Sequence, residues 1–351
     1  MEKSTEKMQR KLFIKPYDRM VKDLVNDIND DVIILDPDYQ RNYVWNNKKA
    51  SLLIESILLN IPIPVIYAAE DDDNKWIIVD GLQRLYSLKR FFANEFKLTG
   101  LETLEELNGL KYSMLDESVQ RKLDRGELRV IVLQNDSDPN IQFDIFMRLN
   151  TGAVKLNEQE LRNCLYRGKL NNLIKDIVKT NPYIQQLIPA TTDRMLANEL
   201  ILRYLAVSEK YNKSENKIEN YDGRIKNLIN SYMENHKSAD NDFLDSIKLK
   251  VETQIKKSYT VFDALAFKKN SNATKVNAAL FECVMISFED YCLEELVLKK
   301  DKINSMVTYL LSNHDFVQSI DKATGNTEVL NFRIKVFREM LGVTMNNASK
   351  N

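Results

Sequence analysis

The stretch that decides the reading of this chain is Trp76-Ile77-Ile78-Val79-Asp80-Gly81-Leu82-Gln83-Arg84, in which an apolar strand runs into a glycine turn and then into an amphipathic helix. Leu85, Leu88 and Phe92 recur at helical spacing, so the helix is expected from about Leu85. A glycine at a strand-to-helix turn lets backbone approach a ligand closely, and the unpaired N–H groups of a first helical turn favour an anion. Arg84 stands one step further on, where a guanidinium would clamp a phosphate. A purely local reading stands beside this one: Asp80 as N-cap with Gln83 at the third helical position, a capping box that needs no ligand.

Outward from this turn, the first half of the chain alternates strand and helix signals. Val32 to Leu35, Val65 to Ala69 and Leu128 to Leu133 read as strands, and Asn47 to Leu59, Glu117 to Leu123 and the segment after Pro139 as helices. From about Asn157 helical periodicity takes over, with Ser208 to Gly223 and Asn235 to Asn241 as polar loops. The fold class is therefore α+β, a mixed α/β domain over 1–163 followed by an all-helical domain over 164–351. A chain of 351 residues has room for about two such domains.

Composition narrows the function. With 44% hydrophobic and 29% charged residues and a net charge of -1, this is not a generally basic polymer binder, so any nucleic-acid contact must come from a local patch. The polar start, Met1 to Arg10, does not read as a signal peptide, and the apolar run Ile54 to Ala69 is broken by Glu55, Asn60, Pro62 and Pro64, so no membrane span is expected. Cys164, Cys283 and Cys292 have neither metal-ligand spacing nor an even number, which suits a reducing cytoplasm. His236 and His314 stand apart in polar stretches and read as solvated surface residues, leaving histidine-metal chemistry without a ligand set.

Two further clusters carry chemistry. Tyr39-Gln40-Arg41-Asn42-Tyr43-Val44-Trp45 places arginine among aromatics, a way to hold phosphates and stack bases, although Tyr43 and Trp45 read better as packing anchors. Phe146-Met147-Arg148-Leu149-Asn150-Thr151-Gly152 ends one helix, and Asn157 with Glu160 makes a capping box that opens the next. So many polar groups at one junction could complete a nucleotide site or its magnesium shell.

Pro37-Asp38-Tyr39-Gln40-Arg41, Ile54 to Pro64, Val79 to Arg84 and Phe146 to Gly152 occur in the order found in the N-terminal domain of GmrSD-type modification-dependent restriction proteins, and over Pro37 to Asn163 the chain resembles that family. The resemblance implies a ParB/sulfiredoxin-like fold, nucleoside triphosphate and Mg2+ binding, often with hydrolysis, and service in DNA restriction and phage defence. On this reading Asp80, Gln83 and Glu160 are candidates for catalysis, and Tyr39, Gln40, Arg41, Gly81, Arg84, Arg148 and Asn150 for holding the nucleotide. The expected partners are DNA and a separate nuclease, because the isolated histidines do not supply the His-Asn-His domain that restriction members commonly carry; self-association stays open. One departure stands out. The family's turn usually reads Asp-Gly-Gln-Gln-Arg, and Leu82 replaces the first glutamine, removing an amide from the phosphate turn. The runner-up reading is a non-enzymatic ParB-like DNA-binding module.

Overall fold

The computed structural model describes residues 12–35, 43–149, 156–188 and 195–346. The chain divides into two compact units, Met1–Leu165 and Tyr166–Asn351. The first is a mixed α/β unit and the second is predominantly helical.

The N-terminal unit is built on a five-stranded sheet of order β1-β5-β3-β4-β2. Its strands are β1 (Ile14–Met20), β2 (Ile33–Ile34), β3 (Ile66–Glu70), β4 (Trp76–Asp80) and β5 (Glu127–Leu133). β1 runs antiparallel to β5, β5 parallel to β3, β3 antiparallel to β4, and β4 parallel to β2. Around it lie α1 (Val21–Asn29), α2 (Asn47–Leu58), α3 (Leu82–Phe92), α4 (Glu117–Asp124), α5 (Pro139–Leu149) and α6 (Glu158–Leu165). Leu85, Leu88 and Phe91 of α3 are fully buried and join Val21, Leu24 and Ile28 of α1, Ile54 and Leu58 of α2 and the inward residues of the strands in one core. Two polar side chains of α2 organise the loop beyond α3. Ser51 accepts from Thr99 N at 3.0 Å, and the buried Glu55 carboxylate accepts from Thr103 N and Leu104 N, each at 2.9 Å.

β1 and α1 are the elements the apolar periodicity does not announce. Among the described residues β1 is an edge strand, Ile-Lys-Pro-Tyr-Asp-Arg-Met, mostly exposed and without an apolar run. Phe13 O accepts from Gln134 N and Val21 N donates to Gly126 O, so the odd-numbered residues between them turn their backbone groups toward β5. The even-numbered ones face away, and Pro16, which has no N–H to offer, is among them.

The helical unit is organised by α12 (Ala278–Ser287), in which every residue from Ala279 to Ser287 is buried. It packs against α9 (Leu196–Lys210) and α16 (Thr327–Asn346). The other helices are α7 (Lys169–Thr180), α8 (Pro182–Leu187), α10 (Ile225–Asn235), α11 (Asn241–Phe262), α13 (Leu293–Leu298), α14 (Lys300–Ser312) and α15 (His314–Asp321). The segment Ser208 to Gly223, expected as a loop, instead continues α9 to Lys210 and then forms a two-stranded ladder, β6 (Tyr211–Asn212) with β7 (Lys217–Ile218). Each strand is only two residues long, too short to show an alternating pattern.

One charge lies at the middle of α12. Glu282, fully buried, is gripped by Arg203 of α9 and by Arg333 of α16, the latter at 2.6 Å, and Arg333 also donates to Thr324 O at 2.8 Å. Removing the carboxylate leaves two guanidinium groups facing each other in the core. Glu282→Gln is therefore expected to lower stability by about 3–5 kcal/mol in urea denaturation, and an unchanged midpoint would show that the network carries no load.

Candidate functional site

The site begins with a kink in β4. Tyr67 pairs with Asp80 and Ala68 with Ile78, so Val79 is an extra residue and the strand bulges one step before the turn. Gly81 follows with φ +98, a left-handed conformation, and stands as N-cap of α3 with no side chain capping the helix. A Cβ at this position would meet Ile66 Cγ1 at 2.8 Å, so packing as well as backbone conformation demands glycine. The helix therefore starts at Leu82, a turn earlier than its apolar pattern suggests, and the Asp80/Gln83 capping box does not form.

Asp80 is instead paired within the turn. Its Oδ2 accepts from Arg84 NH2 at 2.8 Å, the i,i+4 partner, and the same guanidinium donates to Pro64 O and, at 3.2 Å, to Val65 O. Arg84 is 8% exposed. Burial pushes the Asp80 carboxyl up and the Arg84 guanidinium down, and their mutual attraction restores part of each shift. Arg84 is thus a brace that ties the chain ahead of β3 to the end of β4 and the first turn of α3, and it meets protein acceptors where a phosphate clamp was expected.

Gln83 also works on the protein. Its Oε1 accepts from Val44 N at 3.1 Å and Trp45 N at 3.3 Å, fastening the segment that follows the Tyr39 to Arg41 motif onto α3. The rings there are anchors, as the sequence suggested. Tyr43 Oη lies 2.9 Å from Ser87 Oγ with its ring 4.9 Å from that of Tyr86, and Trp45 packs against the core. Tyr39, Gln40, Arg41 and Asn150 lie outside the described residues.

Glu160 sits on α6, which packs against β4 and so comes up beside the strand that carries Asp80. The capping box expected there is formed: Glu160 N donates to Asn157 Oδ1 and Asn157 N to Glu160 Oε2, both at 2.8 Å. Arg148 is exposed in the last turn of α5. Among the described residues no group of three or more His, Cys, Asp or Glu side chains is placed to hold a metal ion. His236, expected as a solvated surface residue, is partly enclosed, with Nε2 2.6 Å from Glu209 and its ring stacked on Phe243. No helix among the described residues is long and apolar enough to cross a membrane.

What the turn offers chemically is an 11-residue helix whose N-cap residue is a glycine that supplies no side-chain cap, braced from beneath by a largely buried ion pair. Partial positive charge concentrates at such an end, and an anion is the ligand it favours. Residues 21–167 match the profile of a family described as GmrSD restriction endonuclease, N-terminal domain, from the start of α1 to two residues beyond the first unit. No curated protein and no solved structure matches the chain significantly. The N-terminal unit is therefore linked to a domain of restriction systems, while the helical unit lies almost wholly outside the match.

Arg84→Ala would remove the guanidinium shared by two carbonyls and a half-buried carboxylate, an expected loss of about 2–4 kcal/mol in urea denaturation. Arg84→Lys should recover only part of it, because an ammonium does not span the three acceptors in the fork geometry of a guanidinium. A loss within roughly 0.5 kcal/mol for the alanine variant would mean that Arg84 is no brace.

Proposed function

We propose that the N-terminal unit binds a nucleoside triphosphate with Mg2+ at the Gly81 turn and acts as a nucleotide-dependent regulatory or specificity component of a DNA restriction system, with strand cleavage left to a separate nuclease. The observation that carries this reading is the family match over residues 21–167, which spans the glycine turn and the uncapped start of α3. In this scheme backbone donors of α3 take the phosphates and Arg84 holds the turn in shape from beneath. Gln83 holds the segment leading from Arg41, whose guanidinium supplies the charge-assisted bonds to the triphosphate. Magnesium fits as an ion that arrives on the nucleotide: Asp80 and Glu160 already have partners in the protein, and Mg2+ keeps most of its waters and phosphate ligands when bound by one or two carboxylates. Bound magnesium neutralises phosphate charge and polarises the terminal phosphoryl group.

The Leu82 departure bears on hydrolysis. Leu82 is packed against the core of the unit, so an apolar side chain occupies the place of an amide, and turnover is expected to be slow relative to binding. Calorimetric titration of the whole chain with each of the four ribonucleoside triphosphates and Mg2+ is expected to show binding of at least one. Arg41→Ala should weaken it by about tenfold to a hundredfold, the worth of one charge-assisted hydrogen bond. Absence of heat with all four nucleotides would overturn the reading.

A further inference from the structure

The first turn of α2, the outer side of α3 and the segment from Phe96 to Gly100 gather an unbalanced set of cations. Residues 43–49 and 86–100 hold Lys48, Lys49, Lys89, Arg90 and Lys97 against one carboxylate, Glu95. That carboxylate is taken by Arg90 at 3.1 Å, and among the described residues none of the four lysines forms an ion pair. Lys48 and Lys49 also stand in the first turn of α2, which has no acidic residue, so the helix dipole opposes them.

Ring, amide and packing contacts hold Arg90, Lys49 and Lys48 in place. Arg90 lies between the rings of Tyr43, at 5.0 Å, and Phe96, at 5.2 Å, and reaches Asn47 Oδ1 at 3.4 Å. Lys49 lies over the Trp45 ring at 5.7 Å, and the stem of Lys48 lies along Gly100, where a Cβ would come within 3.0 Å of it. Lys48, Lys49 and Lys97 are exposed. Exposed lysines with no ion pair among the described residues, two of them with stems held by a ring or a glycine, make a surface pre-arranged for a polyanion.

We propose that this face docks the phosphate backbone of duplex DNA. The inference rests on the proposed function only in choosing DNA as the polyanion; the residues concerned are not those assigned to the nucleotide. The contacts are to phosphate, so docking here is independent of base sequence and strongly dependent on salt.

The test is fluorescence anisotropy of a labelled duplex of about 20 base pairs with the whole chain, titrated with KCl from about 50 to 200 mM. Each contacted phosphate adds about 0.9 to the slope of log affinity against log salt, so Lys48→Ala/Lys49→Ala and Lys89→Ala/Lys97→Ala should each flatten it by about 1.8. Each double variant should also weaken binding at low salt by about tenfold or more, while Lys300→Ala, a lysine of the helical unit, changes neither quantity. Parental affinity and slope in both double variants, or no binding by the parent at low salt, would overturn the proposal. Titration of the same variants with Mg2+ and the nucleotide bound by the parent separates the two readings. A chain that binds DNA through these lysines but no nucleotide defeats the nucleotide assignment alone, and the reverse result defeats this one alone.

Discussion

The three-way grip of Arg84 is the interaction on which the architecture of the glycine turn depends. One guanidinium holds the carbonyls of Pro64 and Val65, just ahead of β3, together with the carboxylate of Asp80 at the end of β4, and it does so from within the first turn of α3. Burial opposes both charges of the pair, so neither is stable there without the other and without the backbone acceptors. The left-handed Gly81 and the bulge at Val79 are the backbone's part of the same arrangement: the bulge re-aims the strand end, and the glycine turns it into the helix within one residue.

The same turn shows how far sequence carries a reading. Trp76 to Val79 and the apolar residues of α3 announce a strand and a helix, and the glycine between them announces the change of direction. Residues 80 and 84, four apart and opposite in charge, contain the signal for the ion pair, but only once the helix is known to start at Leu82; with a start at Leu85 the spacing has no meaning. The carbonyls of Pro64 and Val65 are beyond any such signal, because they come from the segment ahead of β3, some twenty residues away, and carry no side-chain identity. β1 escaped for a different reason, since an exposed edge strand need not alternate. The lysine face escaped too, because its members come from three separate segments and the net charge of -1 conceals them.

The helical unit solves a different problem with similar chemistry. Its central helix is apolar on every side, and such a helix can rotate or slide among its neighbours with little change in buried area. Glu282 removes that freedom, because its two oxygens must meet Arg203 and Arg333 on helices α9 and α16. A single buried carboxylate thus sets the register of three helices, a specificity device more than a source of stability. The family match ends near Arg167, so this unit's packing logic has to be read from its own residues.

The proline in β1 bears on assembly. An exposed sheet edge is an invitation to a second copy, which could continue the ladder strand by strand. Pro16 falls in the row of β1 that faces away from β5, where it interrupts the line of outward donors midway along a seven-residue strand. An incoming strand would lose a bond at the centre of the join, where pairing matters most. The edge is thereby a poorer template for extension, and if copies of this protein associate, they are expected to meet through side chains more readily than by lengthening the sheet.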